Sequence, residues 1–585
     1  MTASDDTPRD LGPSADTFRD DLRAATSLLE QVIADRSRLV HVPFEERQRF
    51  LDAVGHVFHP DARARRSMVK ATTKQRKLDA ARRDDSVLQE TGIRELRRKP
   101  VFTTPNVYLL GDGASGTSTD AQREDDAPEA VVPQHCYICK QKFTTIHHFY
   151  DQMCLSCGDF NFAKRTELVD LSGRTALLSG GRVKIGYQAG LKLLRCGARL
   201  LVTTRFPRDS AMRYAAEPDF DAWSDRLQIF GLDLRHTPSV EAFCRELTHT
   251  ESRLDFIINN ACQTVRRPPA FYAHMMDGEM AAASTLSAGA RKILGAYEGL
   301  RGAQLLPDPD AGSSAAVVQS GTALNRVGLT HAAALSQVPL VPDDMLVAHQ
   351  LFPAGKLDQD LQQIDLRERN SWRLLMDEVP SVELLEVQLV NAIAPFLINA
   401  RLKPLMLRTA NHDKHIVNVS AMEGQFYRNN KTTRHPHTNM AKAALNMMTR
   451  TSAADYQQDG IHMNSVDTGW VTDEDVAEIA ARKVENHRFH PPLDIVDGAA
   501  RIVGAIHEGH HDGLRPQVEG ALEQDRIVGG QACDRHRRGG GDGLQDAQSV
   551  SFVDRHMLQI EQQPVKAGAS HGFGGAGGAG HEPGA

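Results

Sequence analysis

The stretch TALLSGGRVKIGYQAGLKLL, residues 175–194, decides the fold. It opens on a short apolar run, turns through Ser179, Gly180 and Gly181, and continues with apolar residues at three- and four-residue spacing. That is the pattern of a strand, a tight turn and an amphipathic helix. Such a turn lets backbone N–H groups and the positive end of a helix dipole meet a pyrophosphate, and glycine permits the close approach. The glycine pattern is weak evidence by itself, because any strand-to-helix turn uses glycine.

Outward from this stretch, strand-like runs alternate with helical patterns from about 169 to 510. RLLVTT (199–204), LQIFGLDL (227–234), LDFIIN (254–259), HIVNVS (415–420) and IHMNSV (461–466) follow TALLS in order. Their mostly helix-length spacing predicts parallel βαβ units, hence an α/β fold on one doubly wound parallel sheet. Residues from about 265 to 378 break the alternation with a Pro-, Asp- and Ser-rich piece between short helical patterns. They read as a helical insertion over the active-site rim. Residues 1–20 are expected to be disordered, 21–110 to be helical, and 111–132 to form a linker. The segment 511–585, rich in Gly and Arg, reads as a low-complexity or disordered tail.

With 585 residues, 41% hydrophobic, 24% charged and a net charge of −7, the chain is long enough for several units and lacks the charge of a general nucleic-acid binder. Neither a membrane nor a nucleic acid is therefore expected as a partner, and the Lys- and Arg-rich stretch 68–100 reads as a solvated helix face. The acidic, polar start and the lack of a long apolar run make a cytoplasmic location the expectation.

Four of the eight cysteines fall between 136 and 157. Cys136 and Cys139 form one CxxC, Cys154 and Cys157 a second, and that spacing lets four thiolates converge on Zn²⁺ in a structural site. The module, 133–165, has little core of its own, so metal binding is expected to supply much of its folding free energy. His147 and His148 lie in its loop and read as surface residues.

Further along, strand two ends in TTRFP, and GLDL, IINNA, VNAIAPF, IVNVSAMEG, HTNMAKAAL and NSVDTGWVT follow in that order. This succession resembles the short-chain dehydrogenase/reductase family over roughly 170–510. The resemblance implies a Rossmann-type domain that binds a pyridine nucleotide. It places Ser179, Gly180, Gly181, Ile185 and Gly186 in the phosphate turn, with Lys184 at the middle glycine position. Arg205 takes the place of a selector for the 2′-phosphate, so NADP is favoured over NAD. Asp233 and Leu234 fall on the adenine side, and Asn260 and Ala261 on the nicotinamide-ribose wall, with Cys262 replacing a glycine. Gly469 and Thr472 match the later carboxamide or phosphate contacts.

The family's Asn–Ser–Tyr–Lys tetrad survives here only at Asn391 and Lys442, the latter also a ribose ligand by resemblance. Ala421 takes the serine position, with Ser420 one residue early, and Thr438 takes that of the tyrosine. A proton donor needs a pKa within reach of neutral pH; a phenol near ~10 can be lowered into range, whereas an aliphatic hydroxyl cannot. Tyr427 and His437 are the substitute donors expected from the sequence, with His435 a third. The implied function is an atypical NADP-dependent oxidoreductase acting on a carbonyl or alcohol, self-associating as a dimer or tetramer. The alternative is an inactive NADP-binding sensing or interaction module.

Overall fold

The computed structural model describes residues 15–107, 127–302, 331–345, 350–353, 355–426, 431–488 and 490–512. The chain divides into two units, Met1–Arg83 and Asp84–Ala585.

The first unit is helical, with Ala15–Ala34, Phe44–Phe58 and most of Ala62–Gln89. Asp35 starts the intervening turn by accepting the Ser37 N–H at 3.0 Å. The first helix begins at Ala15, six residues inside the segment expected to be disordered. Its apolar spacing starts with the alanine, too small to register as a periodic core residue.

In the second unit β1 (Glu129–His135) and β2 (Lys142–Thr145) form an antiparallel ribbon. The expected linker therefore ends earlier than 132, and residues 108–126 of it lie outside the described residues. The six strands β3 (Thr175–Ser179), β4 (Arg199–Thr204), β5 (Leu227–Gly231), β6 (Phe256–Asn259), β7 (Lys414–Ser420) and β8 (Ile461–Asp467) form one sheet in the order 5-4-3-6-7-8. All five pairings are parallel. Strand order reverses between β3 and β6, and the crevice beyond their carboxyl ends is where such sheets bind ligands. Every residue of β3 and of β7 is buried, as strands covered on both faces require. Asn259 donates to Asn399 at 2.9 Å and to Asn418 at 2.8 Å, and Asn418 donates to Thr449 at 3.0 Å, so a buried amide chain ties β6 and β7 to the helices beside them.

Ser381–Met406 is long and apolar enough, by length and composition alone, to cross a membrane. Here Val387, Asn391, Ala394, Ile398, Leu402 and Leu405 are buried along one face, while Leu385, Ile393 and Phe396 remain exposed.

The insertion reaches the expected rim only in part. Its helix Ala288–Gly302 puts Ala290, Ile293, Leu294 and Tyr297 into the main core beside β5. A Cβ at Gly231 would lie 2.3 Å from the Tyr297 hydroxyl. Apolar spacing marks a helix face but not the surface it meets, and here that surface is the sheet edge. Residues 303–330 lie outside the described residues, as do 513–585 of the expected tail; 511 and 512 close the helix Ile495–Asp512.

Glu279, in the insertion helix Pro269–Met280, accepts the Asp209 N–H at 2.8 Å. Burial pushes its carboxyl up to about 7. Since that exceeds the ordinary value near ~4.3, the native chain holds the extra proton in between, and stability falls as pH rises through that window. Glu279→Gln is expected to flatten the slope between about pH 4.5 and 7 and to raise stability at pH 8 by about 1–3 kcal/mol, read from urea midpoints.

Candidate functional site

A cavity of about 360 Å³ opens at the carboxyl ends of β3, β4, β5 and β6. Gly180, Lys184, Ile185, Gly186, Arg205, Asp233, Leu234, Asn260, Ala261 and Thr472 all line it, although they come from five stretches of chain. The turn is packed so closely that its glycines are obligatory. A Cβ at Gly186 would lie 2.2 Å from the Gly180 carbonyl oxygen, and Gly180 itself has φ +72°. Ser179 and Gly181 sit behind the cavity wall. The Ser179 hydroxyl accepts the Ala261 N–H at 3.1 Å, and Gly181 packs against Val202. Asn260 locks the corner by donating to the Ser179 and Gly180 carbonyls at 3.2 and 3.1 Å.

Lys184 adopts φ +55°, so the position that resembles a glycine does demand glycine's conformation, and lysine bears a cost of about 1 kcal/mol there. Burial opposes its charge, but Glu474, Asp360 and Asp358 outweigh burial and raise its pKa. Burial in turn pushes the Asp360 carboxyl up to about 6. Arg205 donates to the Tyr272 hydroxyl at 2.7 Å with its guanidinium carbon 4.7 Å from that ring's centre. Asp233 is buried, and Arg235 overcomes burial to hold its carboxyl below the usual range.

Tyr272, Arg267, Gln362 and Gln363 also line the cavity and were not anticipated. All come from the insertion, whose sequence carries no nucleotide motif. Arg182 lines it too, and its place inside the turn was a signal open to reading.

The catalytic corner is organised differently from the resemblance. Asn391 sits in a π-helical turn, Leu389–Ile393, a distortion that recurs at functional sites. Its amide is occupied: Oδ1 accepts the Gln263 N–H at 2.7 Å and Nδ2 donates to the Gln263 carbonyl at 3.2 Å. Lys442 donates to the Val419 carbonyl at 2.7 Å, and neither Lys442 nor Asn391 lines the cavity. Thr438 is buried with no hydrogen-bond partner for its hydroxyl among the described residues. Ser420 donates to Asn446 at 2.6 Å and so turns into the helix Pro436–Gln458.

His437 is not brought to the cavity. It is buried facing the helix Ser381–Gln388, with Nε2 3.3 Å from Glu383 and no hydrogen bond on either ring nitrogen among the described residues. Its place one residue before Thr438 puts it about 100° round the helix, toward that neighbour. His435 stacks on Trp372 with ring centres 3.8 Å apart, and burial lowers its pKa. Tyr427 lies outside the described residues.

At the ribbon, one sulfur from each of Cys136, Cys139, Cys154 and Cys157 lies within 4.8 Å of the other three. The Cys139–Cys154 separation of 3.8 Å is far too long for a disulfide and matches the edge of a tetrahedron with bonds of about 2.3 Å. The donor set fits Zn²⁺. His147 contradicts its surface reading: it is buried, its Nδ1 accepts the N–H groups of Phe149 and Tyr150 at 3.0 and 3.1 Å, and burial lowers its pKa to about 4. Those two N–H groups, buried in the turn, require an acceptor, and a neutral imidazole supplies it. His148 is exposed.

The chain is similar to known proteins in four respects. The family model described as Enoyl-(Acyl carrier protein) reductase matches residues 374–493. An uncharacterized protein of Acanthamoeba polyphaga mimivirus is 30% identical over 382 residues, covering 63% of this chain and 71% of that protein. Dehydrogenase/reductase SDR family member 13 of Bos taurus is 33% identical over 105 residues, covering 17% of this chain and 28% of that one. Among solved structures, the Pseudomonas aeruginosa RhlG/NADP active-site complex aligns at 16% identity over 54% of this chain and 78% of its own, with a TM-score of 0.31.

Proposed function

We propose that the chain is a member of the short-chain dehydrogenase/reductase family, as the matches to its family model and relatives support, and an NADP-dependent oxidoreductase moving hydride between the nicotinamide and a carbonyl or alcohol. The observation that carries the reading is Arg205, set at the end of β4 in the cavity wall and steadied there by Tyr272. A guanidinium at that place suits a 2′-phosphate, through charge-assisted hydrogen bonds. When bound, the nicotinamide supplies the hydride chemistry. The chain's part is to seat the diphosphate against the 180–186 turn, face the ribose with Asn260 and Ala261, and deliver a proton to the substrate oxygen. Four thiolates hold a structural zinc beside this domain.

Arg205→Ala is expected to raise the NADPH dissociation constant about ten- to a hundredfold, the worth of a hydrogen bond to a charged group, and to leave NADH binding unchanged. Titration of nicotinamide fluorescence measures both. Equal losses for the two nucleotides would remove Arg205 as the selector.

A second reading, an inactive NADP-binding module, is favoured by Thr438 and by the engagement of Lys442 with the Val419 carbonyl. Hydride exchange across a carbonyl and alcohol panel decides between them: NADPH binding without exchange supports the module. The exposed Leu385, Ile393 and Phe396, with Met440 and Met447 on the next helix, form an apolar surface suited to a homodimer or homotetramer.

A further inference from the structure

The segment 468–474, after β8, contains no helix or strand, yet it supplies Thr472 and Glu474 to the cavity wall. Without a ladder of its own it is placed by tertiary contacts: Asn370 donates to the Glu474 carbonyl at 2.7 Å, the Leu493 N–H donates to the Trp470 carbonyl at 3.3 Å, and the metal module holds its start. Tyr137, between the cysteines of the first CxxC, accepts the Trp470 N–H at 2.9 Å. Gly469 has φ +76°, and a Cβ there would lie 2.6 Å from Leu493 and 3.2 Å from the Tyr137 hydroxyl. Val471 is buried in one cluster with Cys136, Ile138, Met153, Cys157, Leu493 and Ile495, and Ile185 of the phosphate turn packs against the same cluster. One residue, Val471, thus separates the amide held by the module from Thr472.

We infer that the four-cysteine module is a positioning element of the dinucleotide cleft, with Tyr137 the residue that holds the 468–474 wall in place. The inference rests on the NADP reading above. Metal binding orders the CxxC turn, the turn fixes the Tyr137 hydroxyl, and the hydroxyl fixes the backbone that ends in Thr472. Tyr137 touches no nucleotide and acts only through the wall.

The test uses the full zinc-loaded chain, NADPH as the probe, and hydrogen exchange at the Trp470 amide as a readout that needs no nucleotide. Tyr137→Phe is expected to keep its zinc, to lose protection at that amide, and to raise the NADPH dissociation constant about three- to tenfold. Chelation should weaken binding further, with recovery when zinc is returned. Wild-type affinity in both Tyr137→Phe and the chelated chain overturns the inference alone. If the intact chain binds no NADPH, the nucleotide reading falls first and takes the inference with it, whatever the amide shows.

A separate observation concerns the first unit. Between 63 and 77 the helix Ala62–Gln89 carries seven cations and no acid. Arg63, Arg66, Lys70, Lys74 and Lys77 recur at three- and four-residue steps, with Ser67 and Thr73 beside them, so one face presents only cations and hydroxyls over roughly 21 Å. All are exposed, and among the described residues none of the five cations has a carboxylate within ion-pairing distance. Met68, Val69 and Leu78 are too few and too scattered for an apolar face that could enter a membrane.

We propose that this face binds the phosphate backbone of double-stranded nucleic acid without regard to sequence, a local role that the net charge of −7 conceals. A duplex of roughly 20 base pairs, followed by fluorescence anisotropy, should bind with a log–log salt slope of about −4.5, from five phosphate contacts at about −0.9 each. Lys70→Glu with Lys74→Glu should reduce the slope magnitude by about two. No binding at low salt, binding to anionic vesicles or poly-glutamate as tight as to the duplex, or a slope unmoved by the double substitution would each overturn it.

Discussion

Cys157→Ser is expected to strip the chain of its zinc and to unfold the ribbon, the largest loss of stability among single substitutions in this protein. Cys157 is buried, opens no disulfide, and shares its sulfur cluster with three other thiols. The core around it is small: Ile93, Ile138, Phe149, Tyr150 and Met153 are its buried neighbours beside the main domain's Val471, Leu493 and Ile495. Apolar burial on that scale does not offset the conformational entropy of some thirty ordered residues, whereas a structural zinc contributes about 10–16 kcal/mol of apparent binding energy at pH 7. Metal analysis should fall from about one zinc per chain to near none, and limited proteolysis should open between 129 and 166. Cys262→Ser, at an exposed cysteine outside the cluster, should change neither. A Cys157→Ser chain that kept its zinc and its proteolytic resistance would defeat the assignment.

The sheet was legible because its strands are buried on both faces and therefore read as unbroken apolar runs. TALLS and RLLVTT coincide with β3 and β4 residue for residue. LDFIIN is shorter in the fold: the strand opens at Phe256, although Asp255 already donates its N–H to the Thr175 carbonyl at 2.8 Å and accepts the His415 N–H at 3.0 Å, its side chain also accepting the Thr175 N–H at 2.9 Å. LQIFGLDL stops at Gly231, beyond which the chain turns into the cavity wall with Asp233 and Leu234. The phosphate turn was legible for a different reason, since its residues are contiguous and their chemistry is local. What the sequence withheld came from far along the chain. Tyr272 meets Arg205 across 67 positions, and Asp358, Asp360 and Glu474 reach Lys184 from still farther. No periodicity encodes such a meeting. His147 departs from its expected exposure on similar grounds: residue type suggests a surface position, and only the fold reveals two buried N–H groups that need its lone pair.

Arg165→Met is expected to lower stability by about 3–5 kcal/mol while leaving the zinc in place. The guanidinium is buried at the join between the helices Leu155–Thr166 and Ile495–Asp512. It donates to Asp494 at 2.7 and 2.9 Å and to Asp497 at 2.9 Å, and it lies 4.3 Å from the centre of the Phe149 ring. The two carboxylates cap the second helix reciprocally: Asp494 accepts the Asp497 N–H at 3.0 Å, and Asp497 accepts the Asp494 N–H at 2.9 Å. Tyr150 adds a hydrogen bond to Asp497 at 2.5 Å. Burial works against the charge of Arg165, but the two aspartates outweigh it and raise its pKa; the same pairing overcomes burial at Asp494 and lowers that carboxyl. Methionine keeps the volume and the contact with Phe149 but leaves two buried carboxylates without their countercharge, and it is this orphaned pair, rather than lost packing, that sets the size of the effect. The sign of the pH dependence follows. In the variant the carboxyls are raised above their unfolded value near ~3.9, so the native state takes up protons and the deficit against wild type is smallest at acid pH and grows as pH rises. Urea midpoints from about pH 4 to 8 measure it, and Asp497→Asn placed in the Arg165→Met background should recover part of the loss. A deficit that stays constant across that range, or no recovery in the double variant, would show that Arg165 acts through packing and not through charge.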